Sequence, residues 1–542
     1  MADTQVVIVG AGPVGLTLAV MLGQLGVRCT LIERNPAPSG LPKMERCNAR
    51  TMEIYRRFGV ADQVRKAGLP SHCPMDVFVV TRLVDEPILR LPYPSVDECK
   101  QDIAEHNDGS RTLEPYQLIS QYTLEPLLKS IAEKDPNIDV RFGHEFVRFE
   151  DKGDQVVTHI RRSDGTELTI SADYLIGCDG GASPVRKQLG IKLAGDGEML
   201  SLHQALFRCD DLYERIPIGK GRHYHVCDAQ SGFIIVQDDT RHFTLHAVVK
   251  DDAEMPKLFE KLVGMPIKYE TLYIGKWTQR LLVADRYGDG RVFIAGDAAH
   301  LVIPTGGLGM NTGVGDVTDL AWKLKGALEG WGGEHLLESY KSERRQIGIR
   351  NVKASGRANE GRYRWRSAYR PEIRDQTPEG AKVRAEVAAI ADVEQRKTNE
   401  ILGIEAGYRY IDSPLIWPLS GAGPDPDAQY YTPTTWPGFR LPHVWLKDGS
   451  AIQDRLGKGY TLLRFDHDKN DLSLLVAAFK RIGAPLEQMS LDDPHAVEIY
   501  EGYQLFLLRP DLHIVWRGNE APADQEWLAE SATGHRLPPR LN

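Results

Sequence analysis

The sequence predicts a doubly wound α/β core carrying an inserted antiparallel sheet, on three observations. An uncharged run from Thr4 to Val27 contains Gly10-Ala11-Gly12-Pro13-Val14-Gly15, a glycine turn between a short apolar run and an apolar stretch of helical length. Residues 200–275 change texture to short segments with period-two alternation. Beyond them, Arg291–Ala295 returns to a buried, strand-like run followed by glycine-rich turns and a helix.

Taken in order, Gln5–Val9 reads as a strand covered on both faces, hence apolar throughout, and Val14–Leu25 as the helix behind it. A membrane span also needs about 20 apolar residues, but Gly10, Gly12, Gly15, Gly23, Gly26 and Pro13 weaken any helix interior here. A secretory leader needs a basic segment and a small-residue cleavage site, whereas this run follows Met-Ala-Asp. Cys29–Glu33 follows as a strand, Asn35–Lys43 as a loop and Asn48–Phe58 as a helix. Pro115–Lys134 reads as helical, with Leu118, Gln121, Leu124 and Leu128 near one face. Asp139–Phe142, Glu145–Glu150, Gln155–Arg161 and Glu167–Ser171 read as short strands, with a hairpin turn at Ser163-Asp164-Gly165. Asp173–Gly177 is a further strand, ending in Cys178-Asp179-Gly180-Gly181. The alternating strands are Gln204–Cys209, Arg222–Cys227, Gly232–Gln237 and His242–Val249. A helix is expected at Gly315–Leu328, mostly helix over 334–402, and a proline-rich linker over 414–437. The remaining stretch of about 105 residues is long enough for a small α/β domain.

The composition narrows the function classes. With 66 Lys+Arg against 75 Asp+Glu and a net charge of −9, the chain offers no basic face for nucleic acid. All seven cysteines lie within the first 227 residues, without C-x-x-C spacing, which argues against a disulfide framework, a zinc ribbon or a dithiol centre. No metal site and no membrane partner are expected, and the expected compartment is the cytoplasm.

Gly10-Ala11-Gly12-Pro13-Val14-Gly15 is a G-x-G-x-x-G between strand and helix. Its first glycine permits the tight turn, its second lets a pyrophosphate approach, and its third lets strand and helix pack closely. Phosphates then sit at the positive end of the helix, and Glu33 ends the second strand where a carboxylate can accept ribose hydroxyls. Gly296-Asp297-Ala298-Ala299-His300 follows the strand Arg291–Ala295, and Pro304-Thr305-Gly306-Gly307-Leu308-Gly309-Met310-Asn311 comes after it. By spacing alone this is equally a polyol-binding aspartate beside a helix N-terminus or a plain strand-to-helix turn with a capping aspartate.

With Cys178-Asp179-Gly180-x-x-Ser183-x-x-Arg186 between them, these motifs make the chain resemble the group A FAD-dependent aromatic hydroxylases of the p-hydroxybenzoate and phenol hydroxylase type, over about residues 4–350. Pro437-Gly438-x-Arg440-x-Pro442-His443 and Leu508-Arg509-Pro510-Asp511-x-His513-x-x-Trp516-Arg517 resemble the thioredoxin-like C-terminal domain of the phenol hydroxylase branch, here without a C-x-x-C. The resemblance implies a Rossmann-type FAD-binding domain (1–75, 111–190 and 276–345), an inserted antiparallel substrate-binding sheet (76–110 and 191–275), a helical region and linker (346–430), and a thioredoxin-like α/β domain (431–542).

Carried over residue by residue, it implies that Gly10, Gly12, Pro13, Gly15, Glu33 and Arg34 surround the ADP half of FAD. Lys43 stands where the family usually has an arginine near the flavin phosphates, and Gln117 matches a glutamine of the ribityl–phosphate region. Asp297 would bind the ribityl chain, Gly307, Gly309, Met310 and Asn311 would face the flavin ring edge, and Pro304 would wall the ring. Asp179 and Arg186 match residues that couple the NAD(P)H and FAD sites, or form a capped helix start.

The family reaction uses NADPH or NADH and O2, forms a flavin C4a-hydroperoxide and hydroxylates a phenol ortho or para to its oxygen. The absence of a second G-x-G-x-x-G implies that the nicotinamide reaches the flavin transiently. Arg34, Lys43 and Arg46 are either 2′-phosphate ligands or solvated charge; NADPH is expected on the family's pattern, and a homodimer is possible on the same ground. Tyr224, Phe233, Ile235 and His246 are the substrate-pocket candidates, each weighed against ordinary sheet packing. Rival readings are an oxidative decarboxylase, Baeyer–Villiger or epoxidising enzyme of the same fold, and a non-catalytic flavin-binding regulator.

Overall fold

A computed structural model describes residues 2–465 and 469–540. Its first sheet has the central order Val292–Ile294, Glu167–Gly177, Thr4–Val9, Cys29–Glu33, Ile138–Phe142, all parallel. Thr4–Val9 lies mid-sheet between two neighbours, and Val6, Val7 and Ile8 are fully buried. That explains a strand with no polar alternation. Pro13–Gln24 packs behind it and Leu308–Glu329 beside it, both drawn into the same apolar core.

The second sheet has seven strands in the order Glu270–Thr278, Ser201–Arg208, His242–Ala247, Phe233–Val236, His223–Val226, Val77–Val80, Leu89–Leu91. One pairing departs from the expected antiparallel pattern: His223–Val226 runs parallel to Val77–Val80, because that strand enters from a remote part of the chain. The outer face packs on the helix Glu254–Val263, with Phe207 stacked on Phe259 at 4.2 Å. The inner face carries Gln204, His246 and Phe233 in one cross-strand row and Thr244, Ile235 and His223 in the next.

Three expected elements differ. Glu167–Ser171 and Asp173–Gly177 form one eleven-residue strand, whose first half pairs with the Val156–Arg162 hairpin arm and whose second half enters the parallel sheet. The helix expected over Pro115–Lys134 starts at Gln121, because Gln117–Leu118 pairs instead with Arg46–Cys47. The helix expected at Gly315 starts at Leu308, with Gly307 as its N-cap at φ +65°. Among the described residues, no helix is long and apolar enough to cross a membrane.

The C-terminal unit is a four-stranded sheet, Leu486–Ser490, Tyr460–Arg464, Leu505–Leu508, Ile514–Gly518, with its first pair parallel and the others antiparallel, as in a thioredoxin-like fold. Its Arg509 reaches into the first domain's helices. The guanidinium bonds Glu343 and Asp319 at 2.7 Å each and Asp511 at 2.7 Å. Lys323 bonds the same Asp319 and Glu343 at 2.7 and 2.6 Å. Burial opposes ionisation of Asp511, but Arg509 outweighs it and holds the carboxyl well below its ordinary value. Its stabilisation is therefore present above the ordinary carboxylate range and lost as the pH falls below it. Arg509→Leu would leave three buried carboxylates to one lysine. We expect it to cost about 3–5 kcal/mol, read from the denaturant midpoint of the whole chain; an unchanged midpoint would show that the network carries no net stability.

Candidate active site

A cavity of about 510 Å³ lies where the parallel strands end and the second sheet closes over them. Its floor is the first glycine turn. Gly10 sits at φ +103°, and a Cβ there would collide with the Cys178 carbonyl; a Cβ on Gly15 would collide with the Gly10 carbonyl. Gly12 is different, since its Cβ would meet nothing closer than Glu125 Oε1 at 4.0 Å. The fold itself does not need glycine there, and the space it leaves is part of the cavity. Gly12 also caps Pro13–Gln24, whose unpaired amides can bind an anion.

Glu33 Oε2 accepts from the Ala11 amide at 3.0 Å, which fixes the carboxylate beside the glycine turn. Arg34 and Lys43 line the same wall. Gln121 and Glu125 join them, with Gln121 Nε2 donating to Glu125 Oε1 at 2.6 Å and the Ser39 amide donating to Glu125 Oε2 at 2.9 Å.

The second motif divides by direction. Asp297 opens onto the cavity, whose enclosure raises its carboxyl against the pull of His300 and Lys43. His300 turns into the core instead. Its Nε2 meets Asp316 Oδ2 at 2.8 Å, and Asp316 also accepts from the Gly296 amide at 3.1 Å and Arg344 Nε at 2.9 Å. Arg186 donates to the Ala298 carbonyl at 3.0 Å and the Gly181 carbonyl at 2.8 Å, tying two strand-end turns together. Asp179 lines the cavity; its Oδ2 accepts from the Val185 amide at 3.1 Å, while buried Oδ1 has no partner. Pro304, Gly307, Gly309 and Met310 form the opposite wall at the N-terminus of Leu308–Glu329. Two open helix N-termini, a ribose-height carboxylate and a second carboxylate facing the same space fit a dinucleotide such as FAD.

The sheet side is aromatic and polar. Phe233 stacks on His246 at 4.6 Å with 7° between the rings, and Trp277 Nε1 donates to His246 Nδ1 at 3.1 Å. With Nδ1 accepting, the neutral ring carries its proton on Nε2. Burial lowers His246 to about 3. Glu45 accepts from Arg222 and from His223 Nε2, the latter at 3.0 Å. Burial opposes a charge on Glu45, but Arg222 and His223 outweigh it and hold the carboxyl well below its ordinary range. Burial likewise lowers His223 to about 4, Glu45 opposing.

Phe233, Ile235, His246 and Pro304 thus line the cavity, and Tyr224 does not. Alternation sends Tyr224 to the outer face, where it stacks on Phe78 at 5.3 Å and donates to the Gly219 carbonyl at 3.0 Å. Gln117 is likewise placed elsewhere, donating to the Leu69 and Leu118 carbonyls at 3.0 and 2.9 Å; Gln121, one helical turn later, faces the cavity. The Asn311 side chain braces the turn, accepting from the Asn48 amide at 2.9 Å and donating to the Gly307 carbonyl at 2.6 Å. Gly15 is a packing position. Sequence reasoning missed Glu45, Glu125, Trp277 and Arg362 as cavity residues, and Arg46, weighed as a 2′-phosphate ligand or solvated charge, lines the cavity but is buried and paired with Glu405 at 2.5 Å. Only Gln121 left a signal, a glutamine four residues after the expected one.

A doubly wound α/β core whose strand-end cavity is closed by a second sheet defines a flavin-binding oxidoreductase architecture. The chain matches the family described as FAD binding domain over residues 3–355, and aromatic-ring hydroxylase, C-terminal, over 434–535. It is 35% identical over 560 residues to the FAD-dependent monooxygenase apdD of Emericella nidulans, covering 96% of this chain and 88% of that one. It is 31% identical to the aklavinone 12-hydroxylase RdmE of Streptomyces purpurascens, covering 96% of each. The rebeccamycin biosynthetic enzyme RebC with reduced flavin superposes with a TM-score of 0.89 at 30% identity, covering 98% of this chain and 99% of that one. The chain belongs to the FAD-dependent aromatic-ring monooxygenases and binds FAD.

The two glycines separate cofactor from fold. Gly12→Val should abolish FAD retention while leaving the apoprotein's melting temperature within a few degrees, because its Cβ meets only ligand space. Gly15→Ala should lower the apoprotein's melting temperature itself. Equal losses of stability in both variants would contradict this division, which flavin absorbance and apoprotein melting together resolve.

Proposed function

We propose that this monooxygenase hydroxylates a phenolic ring ortho or para to its hydroxyl, consuming NADPH or NADH and O2. When bound, FAD would supply the activation of O2 with two electrons from NADPH or NADH, one oxygen atom going to the ring and the other to water. The residues that would hold it are Gly10, Gly12, Pro13, Glu33, Arg34, Lys43, Gln121, Asp179 and Asp297, with the Gly307–Met310 turn, all of them at the cavity wall. The observation that carries the reading is Glu45, a carboxylate held ionised beside Phe233, Ile235 and His246. An ionised carboxylate at that wall can accept a hydrogen bond from the ring hydroxyl, raising electron density at the ortho and para carbons; a group held this acidic takes the hydrogen bond and not the proton.

The other residues position and dry the site. Phe233 and Ile235 present apolar faces to a planar ring, and Trp277 fixes His246 as a donor toward a substrate oxygen. Enclosure by the sheet excludes the water that would divert activated oxygen. The relatives' names include hydroxylases of aklavinone and of polyketides, which supports a polyketide aromatic as the substrate here.

The purified holoenzyme should oxidise NADPH or NADH faster with one member of a phenol panel, with O2 consumed and a product one oxygen heavier by mass. FAD binding with no stimulation across the panel would favour a regulatory flavoprotein, and loss of CO2 in the product would favour oxidative decarboxylation. Glu45→Gln should reduce the stimulated rate by about 10-fold without loss of FAD, the difference between a charged and a neutral hydrogen-bond acceptor; an unchanged rate would remove Glu45 from the chemistry.

A further inference from the structure

A second opening lies behind the far end of Pro13–Gln24, between the helix Ala49–Arg57 and the C-terminal unit. Ile54, Arg57 and Phe58 share a face by their three- and four-residue spacing, and all three line this crevice. Opposite them stand Trp322 of Leu308–Glu329 and Gln453 and Lys458 of the C-terminal unit. The space is about 40 Å³, room for about three waters or one small anionic group.

The buried side-chain atoms left without a partner at this wall are all donors. They are the Trp322 indole NH, Arg50 Nε and Gln453 Nε2, the last with its Oε1 engaged by His443 at 2.9 Å. Trp322 is 4% exposed and Arg50 7%. The carboxylates at the same wall are already paired: Glu53 with Arg50 and Arg440 at 3.3 and 3.2 Å, Asp454 with Arg56 at 2.6 Å, Asp511 with Arg509 at 2.7 Å. Two cations are left over. Half-buried Arg57 donates to the Leu456 carbonyl at 3.1 Å and to the Gly457 carbonyl, and exposed Lys458 donates to Gln24 Oε1 at 3.2 Å. Among the described residues neither has a carboxylate within ion-pair distance.

Two like charges held together cost free energy, which a shared anion reverses. Burial lowers Arg57 to about 10, with Arg50 adding and Asp511 and Glu487 opposing, so it stays charged at neutral pH. Burial lowers Lys458 as well, with Arg57 adding. Two unpaired cations call for about two negative charges, which a phosphate group carries and a single carboxylate does not. We infer that this crevice is an oxyanion site, taking one phosphate-type group between Arg57 and Lys458 with the Trp322 indole NH as a further donor, and that its occupant ties the C-terminal unit to the first domain.

The test uses the FAD-loaded full chain, with inorganic phosphate and glycerol 3-phosphate as probes and chloride of matched ionic strength as the reference. Binding is read by titration calorimetry and by the thermal midpoint, with the flavin spectrum recorded alongside. Wild type should bind inorganic phosphate at a single site, and phosphate at about 100 times its dissociation constant should raise the midpoint by at least about 2 °C over chloride. Lys458→Met, a change at an exposed side chain, should weaken binding about 10-fold; Arg57→Met should abolish it and Arg57→Lys largely keep it. The flavin spectrum should not move, since the length of Pro13–Gln24 sets the crevice roughly 18 Å from the glycine turn. Glycerol 3-phosphate identifies the source. Binding as tight as that of inorganic phosphate marks a site for the phosphate end of a larger molecule, exclusion marks a site for the free ion, and each meets the inference. No midpoint shift beyond chloride overturns it, as does binding that moves the flavin spectrum or that both Arg57→Met and Lys458→Met leave intact. If Arg57→Met melts too low to titrate, the Lys458→Met titration decides alone.

Discussion

The site depends on a close approach of backbones that excludes side chains. The Gly10 carbonyl occupies the place of a Gly15 Cβ, and the Cys178 carbonyl that of a Gly10 Cβ. On the other side, a Cβ on Gly313 would lie 3.0 Å from Gly296 Cα and against Val14. The helices Pro13–Gln24 and Leu308–Glu329 are thereby pulled onto strand ends, and their N-termini open onto one cavity. Two sets of unpaired amides directed at the same space favour anionic oxygen there, before any side chain contributes.

That convergence needs a rigid mounting, which Asp316 and Arg186 provide. Asp316 gathers the Gly296 amide, His300 and Arg344 in a site with no solvent access, and Arg186 joins the carbonyls of Ala298 and Gly181. A single short motif therefore does two jobs. Asp297 addresses the cavity, while His300, three residues on, holds the turn to the helix behind it. The buried Arg509 network does the same on a larger scale, binding the C-terminal sheet to Leu308–Glu329 and Glu334–Arg366 through carboxylates of both helices.

How far the sequence revealed this follows from what each residue answers to. Gly10, Gly12, Gly15 and Glu33 were legible because strand, turn and helix follow each other without a break, so local spacing sets their geometry. Phe233, Ile235 and His246 were legible as one face by alternation, but alternation cannot say which face is inward. Tyr224 went to the outer face because Phe78, from a strand far back in the chain, stacks there. Gln117 was displaced by a two-residue pairing with Arg46–Cys47, a contact across some 70 residues that no local pattern encodes. Glu45 and Arg362 come from a loop and a long helix, and only the folded chain brings them to the same wall.

The cavity's two ends ask for different charge. Toward the glycine turn, helix N-termini with Arg34 and Lys43 present positive charge, while Glu33 and Asp297 present carboxylates to the same space. Toward the sheet, burial has removed charge from His223 and His246, so the fixed charges left are Glu45, Arg222 and Arg362. Glu45 and Arg222 form a closed pair, neutral overall, whose carboxylate can accept a hydrogen bond from an incoming hydroxyl. The enclosure that keeps water from this wall also strengthens the pull of that pair on whatever polar atom the cavity receives.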